Sequence, residues 1–115
     1  MAALEVLCHG ILARHPIPAC RVLGHSDVAP DRKLDPGELF DWRRLAKDGI
    51  GLWSDDVTGG IVGFDAAMRR FGYKDASPAA IGAFQRHFRP SAVTGIADGE
   101  TAGRLADLVD RAGLA

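Results

Sequence analysis

The sequence predicts a mainly α chain in two parts. A three-helix bundle occupies residues 61–115, and an incomplete α/β segment of helix, strand, loop and helix precedes it over residues 1–50. Two observations carry this. Apolar residues recur at helical spacing in separate stretches along the chain. The stretch GIGLWSDDVTGG (49–60) holds four glycines and no clear periodicity, so residues 51–60 read as a linker between the parts.

The elements follow in order. Leu4, Leu7, Ile11 and Leu12 place an amphipathic helix over residues 2–14, which Pro16 and Pro18 end. CRVLG (20–24) is a short β-prone run that stops at glycine, and it reads as a buried strand. A lone strand leaves its backbone hydrogen bonds unmet. Asp35-Pro36-Gly37 is a turn, with Pro36 placed to start a helix of about 38–48 carrying Leu39, Phe40, Trp42, Leu45 and Ala46, with Gly49 as its stop. Ile61, Phe64, Met68 and Phe71 mark the first bundle helix, which Gly72 stops. Ser77-Pro78 caps and opens the second, which carries Ile81, Phe84, Gln85 and Phe88. Asp98 caps the third, with Leu105, Leu108 and Val109 facing inward.

The bulk numbers exclude several classes of function. At 115 residues, 47% hydrophobic and 25% charged, the chain has the composition of an ordinary globular protein. A formal net charge of −1 gives no electrostatic footprint for nucleic acid. No apolar run is long enough to span a membrane. The first residues, MAALEVLCHGILARH, lack the basic start of an export signal, so the chain as written is expected in the cytoplasm. Cys8 and Cys20 form no CxxC pair and read as small core residues.

The densest chemistry lies in GHSDVAPDRKLDPG (24–37). Imidazole and carboxylate both suit zinc. His25 and Asp35 are ten residues apart, so only a loop folded back on itself brings them together. Lys33 lies two residues before Asp35, on the same side if the segment is extended. An ammonium there suits an oxyanion developing on an amide under attack. Asp27 is placed to cap or orient the loop. On spacing alone, a solvated polar turn is the usual explanation of such residues.

GHSDVAPDRKLDPGELFDW (24–42) resembles the signature segment of the zinc-dependent N-acetylmuramoyl-L-alanine amidases, the branch that also cleaves anhydro-muropeptides. ARHPIPACRVLG, just upstream, resembles the helix and strand that lead into it. The resemblance implies that His25 and Asp35 are zinc ligands and Lys33 a catalytic lysine. It also implies a further zinc histidine on an early strand and a catalytic glutamate in a central sheet. Upstream of the loop this sequence offers only His9, His15 and Glu5, all on or at the end of the first helix, with Glu5 expected on its solvent side. The segment thus resembles the C-terminal part of an amidase domain, with little or no activity expected of it alone.

The second part, around AIGAFQRHFRPSAVTGIADGETAGRL, resembles the three-helix peptidoglycan-binding domain. Gly72-Tyr73, Ala83-Phe84-Gln85 and the run from Thr94-Gly95 to Thr101 and Leu105 carry the likeness, with Thr94 standing where an aspartate is usual. Phe84, Phe88 and Leu105 are expected in the core. Tyr73, Gln85 and Arg89 are candidates to touch glycan or stem peptide, and His87 reads as an ordinary surface histidine. The resemblances imply zinc as cofactor and peptidoglycan or muropeptides as partners, in the bacterial cytoplasm or at the envelope. The function the resemblances imply first is hydrolysis of the amide between N-acetylmuramic acid and L-alanine; the alternative is non-catalytic peptidoglycan binding.

Overall fold

A computed structural model describes residues 1–55 and 63–113. Among these the order is α1 (Ala2–Arg14), a 3-10 turn (Ala19–Arg21), α2 (His25–Val28), α3 (Trp42–Lys47), α4 (Phe64–Phe71), α5 (Pro78–Phe88) and α6 (Gly99–Arg111). The chain is mainly helical, as the sequence predicts. The expected strand at 20–24 is absent: the segment makes the 3-10 turn and then runs extended. No second strand among the described residues offers it backbone partners, so a ladder cannot form. Ile61 and half of the expected linker, residues 56–60, lie outside the described residues.

The bundle forms where local signals agree with burial. Ser77 Oγ accepts the Ala80 amide at 3.2 Å and Pro78 opens α5. Asp98 accepts the Thr101 amide at 2.9 Å and starts α6. Gly72, at φ 123°, ends α4 in a conformation that only glycine adopts without strain, and the Tyr73 amide then turns back to the Met68 carbonyl at 3.0 Å. Phe84, Met68, Leu105 and Leu108 are fully buried between the three helices, with Phe71, Tyr73 and Phe88 beside them. Each such large side chain contributes roughly 1.5–3 kcal/mol of transfer free energy. Aromatic edges order this core: Phe71 and Phe88 meet at 5.6 Å in a T-shaped pair, and Phe84 and Phe88 at 5.0 Å.

A smaller core holds the first part. Trp42, Leu45 and Ile50 are buried there, with Leu4, Cys8, Leu12, Val22 and Phe40 packed against them. α3 is shorter than expected because Asp41, not Pro36, starts it, accepting the Arg44 amide at 3.0 Å. Leu39 therefore lies outside the helix and is exposed. α1 forms as expected yet buries none of its residues, and Val6 and Leu7 stand in solvent. The expected solvent side for Glu5 is also wrong: its side chain is largely covered and pairs with Arg44 at 2.8 Å.

The two parts meet directly. Trp53 packs against both cores, and Cys20 packs against the bundle core. α2 lies on α5.

Candidate functional site

The loop 24–37 is closed at its neck. Gly24 sits so near Pro36 and Trp42 that a Cβ there would stand 2.6 Å from Pro36 Cδ and 3.2 Å from Trp42 Cζ2. This close approach is what glycine permits. One residue further in, the Ser26 amide donates to the Asp35 carbonyl at 2.8 Å. The Asp35–Pro36 peptide is cis. At the far end, the Ala29 carbonyl accepts both the Arg32 and Lys33 amides.

Closing the neck brings His25 and Asp35 together across their ten-residue separation. His25 Nδ1 lies 3.3 Å from Asp35 Oδ2, with both side chains more than half exposed. Two ligands bound at about 2.1 Å on a tetrahedral zinc stand about 3.4 Å apart. The spacing and the donor types therefore fit one edge of a zinc site. Among the described residues, no third His, Cys, Asp or Glu completes a group around them. His9 is instead paired with Asp48 at 2.8 Å, a contact that holds the Asp48 carboxyl below its ordinary range. Lys33 is exposed on the same loop and forms no ion pair among the described residues.

Behind the loop lies a buried polar hub that sequence reasoning missed. Asp27 sits in the first turn of α2 and is almost fully buried. Its Oδ2 accepts the Gly24 amide at 2.9 Å, so the carboxylate caps its own helix as expected. The same oxygen is 2.7 Å from His87 Nδ1 on α5. Its Oδ1 accepts the Tyr73 hydroxyl. Burial, and then the Asp27 charge, push the Tyr73 phenol well above its ordinary range, so Tyr73 stays a donor. The His87 ring is stacked between Trp42, at 3.8 Å and 15°, and Phe88, at 3.8 Å. His87 is thus 2% exposed and is not the surface histidine expected. A tautomer with its hydrogen on Nδ1 satisfies the contact with Asp27, and Nε2 is left without a partner among the described residues.

The residues singled out for glycan contact are committed internally. Tyr73, Gln85 and Arg89 are 5%, 0% and 3% exposed. Gln85 Oε1 accepts the Thr94 and Gly95 amides at 2.8 and 2.9 Å, while its Nε2 donates to the Ile96 carbonyl at 2.9 Å and to Thr101. Arg89 donates to both oxygens of Asp98 and to the Ala92 carbonyl. As placed, Gln85 and Arg89 brace the loop between α5 and α6, Tyr73 donates to Asp27, and all three present no polar surface to a ligand.

The chain is homologous to the AmiD and AmpD N-acetylmuramoyl-L-alanine amidases. It is 39% identical over 131 aligned positions to the amidase AmiD of Escherichia coli strain K12, an alignment that takes in 96% of this chain and 48% of that protein. A shorter match, 53% identical over 42 residues, joins it to the 1,6-anhydro-N-acetylmuramyl-L-alanine amidase AmpD of Enterobacter cloacae. The structure of AmiD in complex with anhydro-N-acetylmuramic acid-L-Ala-D-γ-Glu-L-Lys superposes with TM-score 0.84 at 36% identity, over 99% of this chain and 52% of that one. AMPDH3 of Pseudomonas aeruginosa superposes equally well, over 96% of this chain. No family model matches the sequence. The chain spans about half the length of the relatives it matches.

Proposed function

We propose that this chain carries the histidine–lysine–aspartate part of a zinc-dependent N-acetylmuramoyl-L-alanine amidase site, acting on the muramoyl–L-alanine amide of peptidoglycan or muropeptides. His25 and Asp35 hold the zinc ion. When bound, zinc supplies polarisation of the scissile carbonyl and activation of a water. The Lys33 ammonium stabilises the oxyanion that develops as the amide is attacked. Asp27, anchored to Tyr73 and His87, holds the loop that presents these residues. The bundle of α4, α5 and α6 serves as a peptidoglycan-binding module that keeps the site near its polymer.

The observation that carries this reading is the 3.3 Å approach of His25 to Asp35 in a loop closed by Gly24 and Pro36. Catalytic zinc sites ordinarily use three protein ligands, so two hold the ion weakly and the chain alone turns over little or no substrate. Zinc titration of the purified chain tests the site, with His25→Ala and Asp35→Asn as controls. Weak zinc binding that both substitutions abolish is expected. Zinc uptake identical in all three proteins sinks the reading. Retention on insoluble cell wall tests the module separately.

A further inference from the structure

Between the loop and the bundle, the contacts converge on one side chain. His87 Nδ1 on α5 lies 2.7 Å from Asp27 Oδ2, and the same oxygen accepts the Gly24 amide at 2.9 Å. Gly24 immediately precedes His25. The His87 ring also lies flat on Trp42, with centroids 3.8 Å apart. That indole borders the neck of the loop as well: a Cβ on Gly24 would stand 3.2 Å from Trp42 Cζ2 and 2.6 Å from Pro36 Cδ. Pro36 immediately follows Asp35. His87 therefore reaches the neck by two routes, a carboxylate on the His25 side and an indole against the point where Gly24 meets Pro36.

The two donors to Asp27 are themselves fixed by the bundle. Phe88 covers the other face of His87, at 3.8 Å. Tyr73, which donates to Asp27 Oδ1, is buried with Phe84 edge-on at 6.1 Å and Phe71 alongside at 6.4 Å. In a close-packed core neither ring changes rotamer without displacing its neighbours. The Asp27 carboxylate is thus held from the bundle, not by its own loop alone. The zinc edge depends on that support. His25 and Asp35 are each more than half exposed, so little packing holds their side chains. Their 3.3 Å spacing is set by the loop backbone, where the Ser26 amide donates to the Asp35 carbonyl at 2.8 Å.

We propose that His87 and Tyr73 are positioning residues for the zinc edge, so that the bundle is a working part of that site in addition to its proposed role as a polymer-binding module. The inference rests on the reading of His25 and Asp35 as zinc ligands. Groups that orient metal ligands directly contribute roughly 10–100-fold in metal affinity. Tyr73 and His87 act one step further out, through Asp27 and the backbone, which places the effect of each at about three- to tenfold.

The test compares wild type, Tyr73→Phe, His87→Phe and Val109→Ala as full chains, each first shown to be folded by its urea denaturation curve. Tyr73→Phe removes one hydroxyl. His87→Phe keeps a ring between Trp42 and Phe88 but donates nothing to Asp27. Val109→Ala thins the same bundle core from α6 and removes no hydrogen bond. Two readouts are taken: calorimetric zinc titration, and hydrogen exchange of the Ser26 amide in the metal-free chain. Tyr73→Phe and His87→Phe should bind zinc about three- to tenfold more weakly and exchange Ser26 faster, while Val109→Ala changes neither. If His87→Phe does not fold, Tyr73→Phe decides the matter. Wild-type zinc affinity and Ser26 exchange in the folded hub variants overturn the proposal, and so does an equal loss in Val109→Ala, which would mean general softening of the bundle. No zinc uptake by the wild-type chain, with Ser26 exchange responding as expected, sinks the amidase reading and upholds the link from bundle to loop. Normal zinc uptake with unresponsive Ser26 exchange sinks the link and spares the reading.

Discussion

Asp27→Ala is expected to destabilise the chain by about 3–5 kcal/mol, because it orphans three buried donors at once. The structure supplies the reason. The carboxylate is almost fully buried and serves three donors: the Gly24 amide, the Tyr73 hydroxyl and His87 Nδ1. Alanine leaves the His87 ring shut between Trp42 and Phe88, with neither ring nitrogen partnered. Each orphaned buried group costs roughly 1–3 kcal/mol. Partial rescue by water entering the vacated space keeps the total below the sum of three. Urea denaturation at neutral pH, followed by far-UV circular dichroism, reads the change as a lower midpoint. A thermal midpoint lower by roughly 12 °C or more accompanies it in a domain of this size. Asp27→Asn should fall between: its carbonyl still accepts from Tyr73, while its amide faces the Gly24 N–H. A loss below about 1 kcal/mol for Asp27→Ala would refute the claim that this carboxylate ties the two parts together.

Other perturbations have equally definite outcomes. Gly24→Ala forces a methyl group against the ring of Pro36 and should cost about 1–3 kcal/mol, read as a lower urea midpoint. Gln85→Ala orphans the Thr94 and Gly95 amides, and hydrogen exchange at those two positions should speed up sharply while that at Ala67 does not. Burial of Asp98 opposes its ionisation, but the Thr101 hydroxyl and amide and the Arg89 guanidinium outweigh it and hold the carboxyl at about 2. A depressed carboxyl stabilises the fold fully above its ordinary value of 3.8 and loses that contribution as pH falls toward 2. The stability gap between wild type and Asp98→Asn should thus be constant above about pH 4 and close below it, as a denaturation series from pH 6 to pH 2 would report.

What was legible in the sequence was local. Ser77, Asp98 and Gly72 act through bonds that span three or four residues, and their side-chain types alone predict what they do. The pairing of His25 with Asp35 was legible only as a condition, that the loop fold back. The condition is met by Gly24 against Pro36, a steric fact with no signature in either residue alone. The strand at 20–24 was misread because β-branched content marks a tendency to extend, whereas a strand exists only with a neighbour to bond.

The Tyr73–Asp27–His87 hub spans 46 and 60 residues, beyond any periodic signal. One sign of it nevertheless lies in the sequence of α5. α5 reads PAAIGAFQRHF, small or apolar on almost every side, with Arg86 as its one formal charge. A helix apolar all round is enclosed on all sides. It therefore needs neighbours beyond the two other bundle helices, and α2 with Trp42 supplies them. On that argument His87 and Gln85 are buried for the same reason as Phe84 and Phe88, and their polar atoms must find partners inside. His87 finds Asp27, which the loop carries two residues after His25. The bundle's central helix thereby fixes the position of the loop that presents the proposed zinc ligands, so substitutions deep in the bundle should reach the zinc edge through Asp27.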